Sequence, residues 1–321
     1  MGVYIGADLG GTHFRLAFRL AEAPNIRSEV VTLPSDERWD SAAILALIRD
    51  YAAGLSPDLG PVLGVGLGMT GDVDPATGVT DVAPRFPRLS STPLGERLSR
   101  GLDLPTFVMN DGLAAALGEL TLGAGRGVRS FLLLTLGTGI GCGLVANDRV
   151  LAGPHGRWGR AGHQILEIDG PVYCHCGLPG CWQSLAGKRA VEHRALEAAR
   201  SHPESQLARR VAQGGGVDLA VVSELASLGD RASADVLTET GRLVGIGAAN
   251  LIKCFAPELL LIGGGIAERG GPLLQSLERT VARYAVKPYQ RVPVRPAGLG
   301  KDAGVIGATV LAEGLTHVRM E

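Results

Sequence analysis

Five groups of residues in this 321-residue chain have types and spacings suited to chemistry. The first is Asp8 with the turn Leu9-Gly10-Gly11-Thr12. Apolar runs on either side, Val3–Ile5 and Phe14–Phe18, read as a β-hairpin closed by the two glycines. Gly10 and Gly11 let backbone N–H groups approach a ligand closely, and Thr12 adds a hydroxyl. A carboxylate at a strand end, as Asp8 is, suits a hydrated Mg2+. The hairpin therefore reads as one jaw of a phosphate clamp. The second group repeats it: an apolar strand, Phe131–Leu134, meets Gly137-Thr138-Gly139, and a Gly-spaced strand follows through Ile140–Val145. Two copies of one supersecondary unit suggest two lobes with a nucleotide between them.

The third group is Gly263-Gly264-Gly265, after the strand Glu258–Ile262 and before a helix. It reads either as a flexible turn or as a loop laid flat against an adenine or ribose. Its setting between a buried strand and a helix favours the second. The fourth is Asn110-Asp111, at the end of the strand Thr106–Met109. An Asp there can take the proton of a hydroxyl as its oxygen attacks a γ-phosphate. It can equally cap the small-residue helix that follows, and the two roles are compatible. The fifth is His163 with Cys174, Cys176 and Cys181, spaced H-x10-C-x-C-x4-C. One imidazole and three thiolates complete a tetrahedral Zn2+ shell with no open position, so this metal site is structural. His175, between two of these cysteines, is assigned to solvent, and the lone thiols Cys142 and Cys254 to core packing.

The elements that must hold these groups are legible in outline. Ile26–Leu33 reads as a third strand, Ser41–Ala53 as an amphipathic helix, and Val62–Met69 as a buried strand alternating with glycine. Pro84–Pro93 reads as a loop, Leu94–Leu102 as a short helix and Ala114–Leu122 as another. Beyond the second hairpin the chain is mostly helical. Lys188–Ala212 breaks at His202-Pro203, and Ala232–Phe255 is long and rich in small residues. Asp302–Glu313 is a final helix.

Composition limits the classes of function. A net charge of -1 argues against electrostatic binding to nucleic acid or an anionic membrane. With 45% hydrophobic and 20% charged residues the chain is an ordinary globular one, long enough for two domains. It shows no signal peptide and no apolar run of membrane-spanning length, and its five cysteines favour metal over disulfides, so a cytoplasmic location is expected.

The βββαβα order of the first third resembles the repeated half of the actin–hexokinase–Hsp70 ATPases. The expected fold class is α/β, a two-domain ATPase fold built on a duplicated ribonuclease H-like unit. A small lobe would span residues 1–110 and a large lobe 111–301, with the C-terminal helix 302–314 packing back on the small one. DLGGT (Asp8–Thr12), NDGLAAALGE (Asn110–Glu119), GTGIGCG (Gly137–Gly143), GH (Gly162-His163), CHCGLPGC (Cys174–Cys181) and IGGGIA (Ile262–Ala267) together resemble the ROK family of bacterial sugar kinases and repressors. The resemblance implies ATP- and Mg2+-dependent phosphorylation of a hexose at its 6-hydroxyl, with Asp111 as base, Asn110 at the sugar, and a homodimer. It also implies that His163 binds zinc through one ring nitrogen and turns the other to the sugar. The first strand begins at Val3, which leaves no N-terminal helix-turn-helix and the expectation of no DNA binding.

The family pattern is broken in three places. Arg160 and Gln183 stand where two sugar-binding glutamates are expected, and Leu113 stands for an asparagine. Gln183 still accepts a hydrogen bond through its carbonyl, whereas Arg160 has no acceptor. Three readings stay open: a sugar with an anionic group, an Arg160 that swings away to a carboxylate such as Glu167, or a sugar-binding regulator or scaffold without catalysis.

Overall fold

The structure is a computed structural model and describes residues 2–25, 27–137, 139–264 and 271–320. The chain divides into two units: residues 1–133, 143–159 and 301–321, and residues 134–142 and 160–300. The boundary differs from the expected one at 110/111. The helix Asp111–Leu122 stays with the first unit because it packs on the C-terminal helix Ala303–Leu311. A Cβ on Gly118 would come 2.8 Å from the Ala303 carbonyl oxygen, so the two backbones are nearly in contact.

The first unit is built on a five-stranded sheet in the order Val31–Pro34, His13–Leu20, Val3–Leu9, Val62–Met69, Thr106–Asn110. Val3–Leu9 pairs antiparallel with His13–Leu20, and the Gly-Gly turn closes the hairpin through a bond from Gly10 N–H to the His13 carbonyl (2.9 Å). Val3–Leu9, Val62–Met69 and Thr106–Asn110 run parallel, so their carboxyl ends share one edge. Ligands in open parallel sheets bind at such an edge. Ile5, Leu9, Phe14, Ile44, Leu67 and Phe86 are fully buried and fix the hairpin, the helix Ser41–Ala53 and the segment around Phe86 to one core.

The glycines of Val62–Met69 have a tertiary explanation. A Cβ on Gly66 would overlap the Ala308 carbonyl, and one on Gly64 would come 2.6 Å from that of Ala312. These gaps, with Gly6 on the neighbouring strand, form the seat of the C-terminal helix. The third strand is shorter than expected, Val31–Pro34; Ile26, where it was expected to start, lies outside the described residues. The expected loop before Leu94 instead contributes Thr92–Pro93 to a three-stranded sheet with Val79–Val82 and Asp72–Asp74. Strands of two to four residues are too short for alternation to reveal them.

In the second unit, Leu259–Gly263 pairs in parallel with Val294–Pro296. The long helix Arg231–Phe255 packs on Pro272–Tyr284: a Cβ on its Gly241 would overlap the Leu273 carbonyl, and one on Gly245 would come 2.6 Å from the Thr280 side chain. Cys142 is buried as expected. Cys254 is exposed, contrary to its expected place in the core: it lies one residue from the end of its helix, past the last buried turn.

Candidate active site and metal centre

In the first unit, register brings the two carboxylates together. Asp8 pairs with Gly68, and Gly68 pairs with Met109, two residues before Asp111. Asn110 caps the helix that Asp111 opens: its Oδ1 accepts from Gly112 N–H (2.9 Å) and Leu113 N–H (3.4 Å), and its Nδ2 donates to the Gly71 carbonyl (3.0 Å). The cap is thus Asn110 and not Asp111. This frees Asp111 from capping and spends the Asn110 amide on holding the turn. Asp111 Oδ1 accepts from Gly112 N–H at 2.9 Å.

Burial raises the pKa of both acids, and it is the larger cause for each. Asp8 is pushed up to about 7, by burial first and then by the nearby negative charge of Asp111; Arg15, across the hairpin with Nη1 3.6 Å from Asp8 Oδ2, pulls it back in part. Asp8 Oδ1 is buried with no hydrogen-bond partner among the described residues. A buried, repelled carboxylate with an unsatisfied oxygen fits a hydrated Mg2+, a hard cation that takes oxygen ligands. Sequence reading missed Arg15, although a four-residue turn after Asp8 sets it opposite. It also missed Asp302, whose charge adds to the rise at Asp8.

The turn beside Asp8 is arranged for an anion. Gly11 O accepts from Arg85 Nε (2.9 Å) and Thr12 O from Ser35 N–H (3.0 Å). Among the described residues, no acceptor takes the N–H of Gly11 or Thr12. Arg85 was not legible locally, being 74 residues from its partner.

In the second unit, His163, Cys174, Cys176 and Cys181 place one ligand atom each within 4.8 Å of one another. Cys174 Sγ is 3.4 Å from His163 Nδ1, and Cys176 Sγ is 3.7 Å from Cys181 Sγ. Ligand atoms of a tetrahedral Zn2+ lie about 3.5–3.8 Å apart, given Zn–S near ~2.3 Å and Zn–N near ~2.05 Å. The four residues fit the metal. The buried Ser184 hydroxyl accepts from the N–H of Tyr173 (3.1 Å) and Cys174 (3.0 Å) and pins the loop. Trp182, fully buried, donates from its indole to the Leu243 carbonyl (3.0 Å) and ties the last cysteine to the long helix. With Nδ1 at Cys174, the second nitrogen of His163 is the one left for other partners. His175 is exposed.

Gln183 is half-buried and engaged at both ends of its amide: Oε1 accepts from Ile140 N–H (3.3 Å) and Nε2 donates to Cys174 Sγ (3.3 Å). A glutamate could not donate that second bond. Gly139 has no room for a Cβ because Gln183 Oε1 occupies it, and Gly137 N–H donates to the Gly139 carbonyl (3.0 Å). Arg160 is exposed and begins the single turn Arg160–His163. Gly263 ends its strand, and Gly264 has φ +90° and no room for a Cβ, which would overlap the Leu136 carbonyl, so backbone conformation and close packing account for that glycine. Thr138 and Gly265 lie outside the described residues.

The comparisons with known proteins agree with these motifs. The ROK family model matches residues 4–314. The chain belongs to the ROK family. Within this family it is 34% identical over 309 residues to the glucokinase of Halalkalibacterium halodurans, covering 95% of this chain and 93% of that one. A ROK family glucokinase from Streptomyces griseus, solved in complex with glucose and AMPPNP, superposes with a TM-score of 0.85 at 30% identity, covering 97% of this chain and 99% of that one. A xylose repressor from Caldicellulosiruptor bescii is 25% identical over 97% of this chain and 78% of its own length. The ROK chain described here has the actin/hexokinase-like ATPase fold. No helix among its described residues is long and apolar enough to cross a membrane.

Proposed function

We propose that this chain transfers the terminal phosphoryl group of ATP to the 6-hydroxyl of a hexose, glucose or a near relative. The observation that carries the reading is Asp8, buried, and Asp111, half-buried, both with raised pKa values, beside a turn whose Gly11 and Thr12 N–H groups are unpartnered among the described residues. The glucokinases at 30–34% identity and the glucose and AMPPNP complex of the Streptomyces griseus relative support it.

Asp111 takes the proton of the attacking hydroxyl. Its raised pKa makes it a stronger base, and Asn110 keeps the turn that aims it. Asp8 would hold Mg2+, which when bound neutralises charge building on the phosphate oxygens. Gly10, Gly11 and Thr12 hold phosphates, as do Gly137, Thr138 and Gly139; Gly263, Gly264 and Gly265 hold the adenosine. His163 joins the structural zinc to the sugar through its second nitrogen. The working form is a cytoplasmic homodimer.

One observation favours a second reading of the sugar. Gln183 has its amide engaged on Ile140 and Cys174, and Arg160 adds positive charge one turn away from His163. A hexose with an acidic substituent is then the second candidate beside the neutral one. ADP release should be measured with glucose, mannose, N-acetylated hexosamines and uronates. Turnover with glucose at ordinary rates removes the acidic-substrate reading, and no turnover with any sugar removes the kinase.

A further inference from the structure

Arg85 is fixed over the glycine turn by the core and by a backbone carbonyl. Its neighbours Ala83 and Phe86 are fully buried, and Phe86 N–H donates to the Ala83 carbonyl (2.9 Å). This short turn leaves Arg85 on the surface with its stem across Gly11, Cγ lying 3.7 Å from where a Cβ of that glycine would be. Nε donates to the Gly11 carbonyl at 2.9 Å. Its charged neighbour is Glu37, 3.9 Å from Nη1, and both side chains are exposed, so that pairing is weak. The carbonyls of Gly11 and Thr12 are occupied by donors, whereas their N–H groups are unpartnered among the described residues. Successive free N–H groups in a turn make an anion-binding concavity, and a guanidinium tethered at its rim supplies the charge.

We propose that Arg85 is a substrate-binding residue whose guanidinium takes the terminal phosphate of the nucleotide at the Gly10–Thr12 turn. The inference rests on the kinase reading and adds a cation to a clamp otherwise made of backbone. Bonding through Nε leaves the terminal nitrogens to meet phosphate oxygens, so lysine could reproduce the charge but not the tether. The same chemistry would suit an acidic group on the sugar, and the measurements separate the two.

Full-length wild type, Arg85→Gln and Arg85→Lys are titrated calorimetrically with ATP and AMP in Mg2+, and the KM for sugar is measured. Arg85→Gln is expected to weaken ATP binding about tenfold, the loss of one charged hydrogen bond. AMP affinity and the sugar KM stay within about twofold, and Arg85→Lys recovers part of the loss. The side chain is 56% exposed, so the variants should fold, which thermal unfolding checks. Unchanged ATP affinity in Arg85→Gln overturns the proposal. So does an effect confined to the KM of an acidic sugar, which would give the guanidinium to that sugar. A wild type that binds no nucleotide overturns the kinase reading itself, and is told apart by needing no variant.

Discussion

Asp8 and Asp111 lie on the same side of the sheet on either flank of Gly68. A Cβ built on that glycine would sit 3.6 Å from Asp8 Oδ1 and 3.7 Å from Asp111 Cα. Two carboxylates placed in this way, Asp8 buried and Asp111 half-buried, resist ionising together, and Asp8 Oδ1, unpartnered among the described residues, is the atom that a cation would satisfy.

The first expected outcome is a stability that falls with pH until a cation is added. Asp8 keeps its proton in the fold up to about pH 7, whereas the unfolded chain loses it near 3.8. Between these values the folded state holds more protons, so stability declines as pH rises through the window, by on the order of a few kcal/mol. Without divalent cations, Tm should be lower at pH 8 than at pH 5, and Mg2+ should raise it more at pH 8. Asp8→Asn should flatten both responses; a wild-type Tm independent of pH and Mg2+ would contradict the assignment.

Asp111→Asn preserves the size of the side chain and its contact with Gly112 while removing the base. The kcat should drop about 10²–10⁴-fold, with ATP affinity within about twofold. Persistent turnover would show that another group takes the proton.

Zinc should be present at one atom per chain in protein purified without chelator, read by plasma mass spectrometry. Cys181→Ser removes a fully buried ligand and should lose the metal and lower Tm by about 10 °C. Metal-free protein of undiminished Tm would remove the tetrahedral site.

The seat of the C-terminal helix is testable through one methyl group. Gly66→Ala drives a Cβ into the Ala308 carbonyl and should destabilise the fold by about 2–4 kcal/mol in denaturant unfolding. Gly216→Ala, whose Cβ would meet nothing within 4 Å among the described residues, should change stability by less than about 0.5 kcal/mol. Equal effects would show that the helix gives way.

Local chemistry made part of this protein readable without coordinates. Asp8 and its Gly-Gly turn, the helices Ser41–Ala53 and Leu94–Leu102, and the spacing of His163 with three cysteines each depend on residues near one another in sequence. Turn geometry, capping and side-chain period act over a few residues, so such features show in the sequence itself. What tertiary structure decided involves partners far apart. Sheet register set Asp8 beside Asp111, and buried Phe86 carried Arg85 to Gly11. The C-terminal helix explained the glycines of Val62–Met69 and kept Asp111–Leu122 in the first unit. Gln183 turned inward to a cysteine sulfur and a strand amide. These depend on how distant segments pack, and a linear pattern of residue types carries no register between segments that meet only after folding.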